Sequence, residues 1–394
     1  MKITFGIDNA ILSHSVSIID ETRKIINSFE IENTLAGFKV LGNSLIKYPG
    51  ASIGFEISQG PLVDYLRTLQ LPLYSLNPLK VKRHKESFVV SGNKTDRIDA
   101  FAIADYVRSH EKDLRPMIFN SADIETLKYL NIAHERLTRE HTRNTNRLLA
   151  IFRQYFPLYA GLFSNSAPKT LLNMVISYPI WSKLRDETSE NIEKFLKQNK
   201  YYNSKYIQRI LQKIDMYTHC VSPEVENAIQ YEAVAIAELL LGLKSNLEKL
   251  RKEMVRITST HPMGEVFKSL PGAGDILSAK LLGHFGDNKT RFNTAGEVGA
   301  SFGTAPINYQ SGGYHKVIIR KACNKRQRSV MYDFAFCSMR FSVWAKEYYK
   351  QQRKLGKRHS VAVRALSNKW VKVIFAMWKN HHCYDESKKI CDAA

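Results

Sequence analysis

Cysteine is scarce in this chain: five thiols in 394 residues (Cys220, Cys323, Cys337, Cys383, Cys391), with no paired spacing among them. That excludes a disulfide framework and suits a reducing compartment with free, mostly buried thiols. His381, His382, Cys383 and Cys391 match no common zinc spacing, so a frayed tail is the better reading there. No apolar run is long enough to cross a bilayer, and MKITFGIDNA lacks the features of a signal peptide. The expectation is a cytoplasmic protein with no membrane partner. Acidic residues are in deficit, with 37 Asp and Glu against 58 Lys and Arg, a formal charge of +21 and a pI near 9.6. A polyanionic partner follows, nucleic acid first.

What is present is enough to build cores. Hydrophobic content of 44% with 11% aromatic places the charge on a folded protein, and the length suggests two or three domains. Three β-prone runs, Ile3 to Asp8, Ser15 to Ile19 and Lys24 to Ile31, read as a meander. A helix from Leu35 to Tyr48, a strand from Ala51 to Ile57, a helix from Pro61 to Leu69 and a strand from Leu73 to Leu76 follow. The order βββαβαβ is that of the α/β ribonuclease H-like fold. Actin-like ATPases share it but need glycine-rich phosphate loops, which this chain lacks.

From Asp123 to Phe156 the pattern is helical, and Arg136, Arg139, Arg143 and Arg147 share one face at steps of three and four. That face either tracks a phosphate backbone or is solvated; few interleaved acids favour nucleic acid. Residues 167–219, rich in Lys and Tyr, either clamp a nucleic acid or form an amphipathic helix pair. A long helix follows Ser222 and Pro223, with apolar residues from Ile229 through Leu240, Leu247 and Leu250 to Ile257. Their 3.5-residue period predicts a coiled coil, with the arginine helix or with another subunit.

A mainly α-helical last domain opens on SLPGAGDILSAKLLGHFGD. Its Pro271–Gly274 turn is either helix-hairpin-helix-like, holding a phosphate at a helix N-terminus, or a plain connection. NYQSGGYHKVIIRKACNKRQR is a glycine-containing loop with a basic segment, and helices about Ser329 to Lys354 and His359 to Lys379 close the domain. The expected organisation is 1–122, 123–262 for the helical coiled-coil region, 263–380, and a tail, 381–394.

Asp8 ends the first strand and Glu56 lies near the end of the fourth, its neighbour in such a sheet. Asp96 and Asp99, three apart at the start of a helix, share one face. Singly, Asp8 fits a turn, Glu56 a surface position and Asp96 an N-cap. Glu56 resists dismissal, because it sits in the apolar run Ile53 to Ile57, where an unpaired carboxylate is costly. Together the four supply oxygen ligands for one or two Mg²⁺ ions and for in-line phosphoryl displacement.

These residues carry a resemblance. GID around Asp8, FEIS around Glu56 and KTDRIDA around Asp96 and Asp99 resemble the four acidic positions of the DEDD transposases of bacterial insertion sequences. RLLAIFRQYFP, LPGAGDILSAKLL and the stretch from Ala300 through QSGG extend it over most of the chain. The resemblance implies a RuvC-like domain holding Mg²⁺ and a C-terminal serine nucleophile that forms a phosphoserine bond to DNA. It also implies a structured guide (bridge) RNA, double-stranded donor and target DNA, a homodimer or tetramer, and action at the bacterial nucleoid.

The matching serine is Ser311. By its residues alone, a serine between Gln310 and Gly312 also fits a simple turn. Lys316, Arg320, Lys321, Lys325, Arg326 and Arg328 can neutralise phosphates nearby. The sequence departs from the family where a glycine is usual after the lysine, reading Lys321, Ala322, Cys323, Asn324. The alternatives are a hydrolytic nuclease of the Holliday-junction resolvase type, using water and the same carboxylates, and a binding protein with a dead site.

Overall fold

Strand β1 (Thr4–Asn9) runs antiparallel to β2 (Ser13–Ile19), which pairs with β3 (Ile25–Glu32) across a turn held by Asp20. The Asp20 carboxylate accepts from the backbone of Thr22 and Lys24, an aspartate turn that needs no glycine. This is a computed structural model describing residues 2–88, 95–163, 168–217 and 221–387, and the chain divides into two units, Met1–Phe119 and Asn120–Ala394.

In the first unit, helix α1 (Leu35–Ile46), capped by Thr34, leads to β4 (Ser52–Phe55), parallel to β1. Helix α2 (Pro61–Thr68) leads to β5 (Leu73–Ser75), parallel to β4. The sheet order is β3-β2-β1-β4-β5, compatible with the ribonuclease H-like arrangement expected from the sequence. Helix α3 (Pro78–Glu86), capped by Asn77, and α4 (Asp96–His110), capped by Thr95, complete the unit.

Side chains alternate across a strand. Phe5, Ile7, Ile53 and Phe55 therefore join Phe38, Leu41, Leu62 and Leu66 from α1 and α2 in one core. The opposite face, bearing Gly6 and Gly54, receives α4.

The second unit is built on two long helices, α5 (Ala122–Tyr155) and, after α6 (Pro157–Leu162), α7 (Lys169–Ser177), α8 (Trp181–Arg185), α9 (Ser189–Gln198) and α10 (Ser204–Asp215), helix α11 (Pro223–Thr260). Helices α5 and α11 pack along each other within the unit. One core gathers Leu148 and Phe152 of α5, residues of α6–α10, and Ala233, Ile236 and Leu240 of α11. Residues 168–217 are thus small amphipathic helices, with Ile207, Ile210 and Ile214 inward, while Tyr202 and Tyr206 stay exposed.

The other core joins Ile124 and Leu127 of α5 with Met254 and Ile257 of α11 and the C-terminal elements. Between the two cores Leu247 and Leu250 are half-buried.

The C-terminal elements are α12 (Gly264–Lys268), α13 (Gly274–Phe285), α14 (Ala295–Ser301), strands β6 (Ile307–Ser311) and β7 (Tyr314–Ile318), and α15 (Lys325–Ser338), α16 (Val343–Lys354) and α17 (His359–Asn380). Four expectations need correction. The loop around Ser311 is an antiparallel β-hairpin within the otherwise helical domain. The helix expected from Ser329 to Lys354 is broken between α15 and α16, because Ser342 caps α16 and the Glu386 carboxylate accepts from Val343 N and Ser342 Oγ.

The start of the expected tail is therefore docked: Tyr384 N donates to Ser269 Oγ, and Trp344 Nε1 donates to the Tyr384 hydroxyl. The thiols also differ from expectation, since Cys323 and Cys337 are half-buried and Cys383, just past α17, is exposed. Cys220 and Cys391 lie outside the described residues.

Candidate active site

The motif Gly-x-acid occurs twice, as Gly6-Ile7-Asp8 and Gly54-Phe55-Glu56, and the parallel register pairs Gly6 with Gly54 and Ile7 with Phe55. Asp8 and Glu56 therefore leave adjacent strands at one level, on the same face as the glycines. The glycines explain what arrives on that face. A Cβ at Gly6 would overlap the Ala100 carbonyl oxygen and the Ala104 amide nitrogen, and one at Gly54 would overlap the Val107 side chain. Helix α4 thus lies against the sheet, and its first turn carries Asp99 to the edge where Asp8 and Glu56 stand.

The electrostatics report the convergence. The Glu56 carboxyl is held above its ordinary range by burial first, then by the negative charges of Asp8 and Asp99. Opposing them is Lys85 of α3, whose ammonium hydrogen-bonds Asp99 Oδ1. Asp96, the first residue of α4, is exposed and is not among the charges acting on Glu56.

The structure thus brings Asp8, Glu56 and Asp99 together and leaves Asp96 on the rim; Lys94 of the KTDRIDA motif lies outside the described residues. As the side chains stand, no three His, Cys, Asp or Glu groups among the described residues are arranged to hold one metal ion. The donor set nonetheless fits a hard cation. It is all carboxylate oxygen, and the like charges that raise Glu56 are what a bound cation would relieve.

Lys85 went unforeseen because α3 did, although Asn77-Pro78 is a recognisable cap and first-turn pair. Its neighbour His84 anchors the same helix. His84 Nε2 lies 2.9 Å from Asp105 Oδ2, and Arg108 donates to Asp105 Oδ1 at 2.8 and 2.9 Å. Arg23 Nε stands 3.1 Å from the same carboxylate without hydrogen-bond geometry. Burial would raise the Asp105 pKa, but the hydrogen bonds from Arg108 and His84 outweigh it and hold the group below its ordinary value. Asp105 and Asp99 thereby fasten α3 to α4 at adjacent α3 residues.

In the second unit Ser311 is the last residue of β6, paired with Tyr314 across the Gly312-Gly313 turn; Gly312 has φ +55°. A two-residue Gly-Gly connection supplies the left-handed backbone a tight hairpin needs, a signal present in the sequence.

Residues 5–157 match the DEDD IS110 family described as transposase, and residues 264–350 match the transposase IS116/IS110/IS902 family. The first span holds all four acids and the second holds Ser311. The chain belongs to this transposase family.

Among similar proteins, one of Streptomyces coelicolor named for the mini-circle transposase of IS117 is 27% identical, covering 97% of this chain and 94% of its own. The insertion element IS110 43.6 kDa protein of the same organism is 25% identical over 74% of this chain and 72% of its own. The insertion element IS900 42 kDa protein of Mycobacterium paratuberculosis is 24% identical over 78% and 77%. Among solved structures, T. thermophilus RuvC in complex with Holliday junction substrate overlaps 30% of this chain and 100% of its own, at 12% identity and a TM-score of 0.25.

The arginine face of the transposase is less bare than its sequence suggests. Arg139 pairs with Glu135, Arg143 with Glu140 at 2.6 Å and Arg147 with Glu232 at 2.6 Å, while Arg136 is exposed. Acids one turn away on α5, and one from α11, supply partners that spacing within one helix face concealed. Exposed pairs of this kind contribute only about 0–1 kcal/mol, so a phosphate can displace them.

In the basic segment, Lys316, Lys321 and Lys325 are exposed, and Arg326 pairs with Glu135 at 2.8 Å. Arg328 Nη1 donates to the Arg320 carbonyl and Arg320 Nε to that of Ala305, at 3.3 and 3.4 Å. Cys323 places its Sγ 3.7 Å from the Arg320 carbonyl, inside the same turn.

Proposed function

We propose that this transposase is an RNA-guided recombinase that cuts and exchanges DNA strands through a metal-holding acidic site and a serine nucleophile. The observation carrying this reading is the convergence of Asp8, Glu56 and Asp99 at one sheet edge, with the Glu56 carboxyl raised by burial and then by its two neighbours. Asp8, Glu56 and Asp99, with Asp96 on the rim, would hold one or two Mg²⁺ ions, whose chemistry is to polarise the phosphoryl group and stabilise the leaving oxygen. Glu56, acted on by the charges of both Asp8 and Asp99, would set how much negative charge the site gathers. Lys85 orients Asp99.

In the proposed covalent step, Ser311 Oγ bonds to the phosphorus as the P–O bond to the deoxyribose breaks with its electron pair on that oxygen, and the serine's proton ends on the departing oxygen, which leaves as a free hydroxyl. Attack by a free deoxyribose hydroxyl on the phosphoserine then breaks the P–Oγ bond, joins the new strand and returns the proton to Ser311, completing the exchange. Support for Ser311 comes from the family resemblance and its place beside a Gly-Gly turn, where a DNA backbone can approach closely. Arg136, Arg139, Arg143, Arg147 and the basic residues from Lys316 to Arg328 would carry phosphates of DNA and of a structured guide RNA. Partly exposed Leu239, Leu247 and Leu250 on α11 support assembly as a dimer or tetramer.

The test is trapping. Incubation with Mg²⁺, DNA carrying the element's ends and the co-purified RNA is expected to give a protein–DNA adduct that survives denaturation and disappears in Ser311→Ala. Equal adduct formation by the variant would refute the serine assignment. Free ends without any adduct would instead indicate hydrolysis by water at the same carboxylates.

A further inference from the structure

At the base of the hairpin, Gly303–Pro306 and Val317–Arg320 face α17 across a cavity of about 490 Å³. Five cations line it, Arg320, Lys357, Arg364, Lys369 and Lys372, and no acidic residue does. Arg139, Arg143 and Arg147 of α5 are paired with glutamates. None of these five makes an ion pair among the described residues. Beneath them the surface is apolar and open to water: Ile318 and Ile319 are each 37% exposed and Val361 39%. Tyr348 stands at the wall, with Lys369 Nζ 5.7 Å from its ring centre. Around Arg364 the hollow continues into a second one of about 390 Å³ that adds Lys325 and Arg328.

We propose that this cleft holds an unpaired nucleotide of the DNA strand, its phosphates on the cationic rim and its base on the apolar floor beside Tyr348. The unpaired cations call for a polyanion, and the volume suits one small group enclosed on several sides. The apolar floor decides between strand states. A paired base is already stacked and offers only groove edges and phosphates, whereas an unpaired base gains by covering Ile319 and Val361. The continuing hollow, lined by Lys325 and Arg328, gives the backbone a charged path out.

The choice of DNA rests on the reading of Ser311 above. Ile318 is four residues from Tyr314, the partner of Ser311. At a rise of about 3.4 Å per residue, the cleft lies roughly 14 Å from the hairpin tip, within a few nucleotides of a phosphate held there.

The experiment is fluorescence anisotropy with the full-length transposase in EDTA, using single-stranded DNA, its duplex and an RNA of the same sequence. The variants are R364Q/K372Q and Val361→Trp, the latter filling the floor without altering charge. The double variant is expected to weaken single-stranded DNA binding about 10-fold or more and to flatten the salt dependence by about 1.4 in log–log slope. Val361→Trp is expected to weaken it with the slope unchanged, and duplex binding is expected to change least in both.

Unchanged affinity for single-stranded DNA in the double variant overturns the proposal. So does an equal loss on duplex, which marks a general polyanion surface, and so does a loss confined to RNA, which assigns the cleft to the guide. Should Val361→Trp fail to fold, the double variant decides. Ser311→Ala in the same assay is expected to bind normally, so failure of the serine reading appears in adduct formation and failure of the cleft appears here.

Discussion

Glu56 is the residue on which the acidic site turns. Its raised pKa means that the fold favours the protonated form; the stabilising contribution is present at low pH and is lost as pH rises through the raised value. At neutral pH without metal, ionised Glu56 therefore destabilises the N-terminal unit. Glu56→Gln is expected to raise its Tm in EDTA at pH 7.5 while abolishing metal-dependent cleavage. A lower Tm for the variant in scanning calorimetry would show that the carboxylate is not strained by its burial and its neighbours.

Asp105 has the opposite sign. Its pKa lies below the ordinary 3.8, so its contribution is present above that value and is lost as pH falls through the lowered one. Asp105→Asn leaves the Arg23 and Arg108 charges facing a neutral amide and is expected to cost about 3 kcal/mol at neutral pH in denaturant titrations. The cost should shrink below the wild-type Asp105 pKa. A cost that persists undiminished in acid would mean that packing, and not charge, sets the effect.

Among elements, α4 matters most, since it carries both acids of KTDRIDA and the Asp105 anchor. Gly6 meets backbone atoms of α4, whereas Gly54 meets side-chain methyls that can shift. Gly6→Ala should therefore destabilise the unit by about 3 kcal/mol, more than Gly54→Ala does, and should move Asp99 out of reach of Glu56. Equal, small losses of stability in the two variants would contradict the close approach of α4 to β1.

Much of this unit was legible beforehand. The order of strands and helices follows from apolar alternation and turn residues, and the chemistry of Asp8 and Glu56 from carboxylates set at strand ends. The role of Gly6 and Gly54 was hidden, because it depends on a helix some 50 to 100 positions away in sequence. The ion pairs of the α5 arginines escaped notice for the same reason at Arg147, whose partner Glu232 belongs to α11. The Ser311 hairpin was missed although Gly312-Gly313 marks it, since its strands are short and exposed and lack the alternation that a buried face imposes.

For the whole molecule, an excess of +21 charges is carried by a chain in which three acidic residues, Asp8, Glu56 and Asp99, meet at one sheet edge. The long α5 and α11 give the second unit two cores, one among the short helices and one among the C-terminal elements. No helix of the described residues is long and apolar enough to cross a membrane. The most direct measurement is strand cleavage by the intact transposase on supercoiled DNA carrying the element's ends, with its co-purified RNA, in Mg²⁺ and in EDTA, beside Asp8→Asn and Asp99→Asn. Cleavage only in Mg²⁺ and lost in both variants, with DNA binding retained, is the expected result. Cleavage persisting in EDTA or in both variants would contradict the acidic site as the seat of the chemistry.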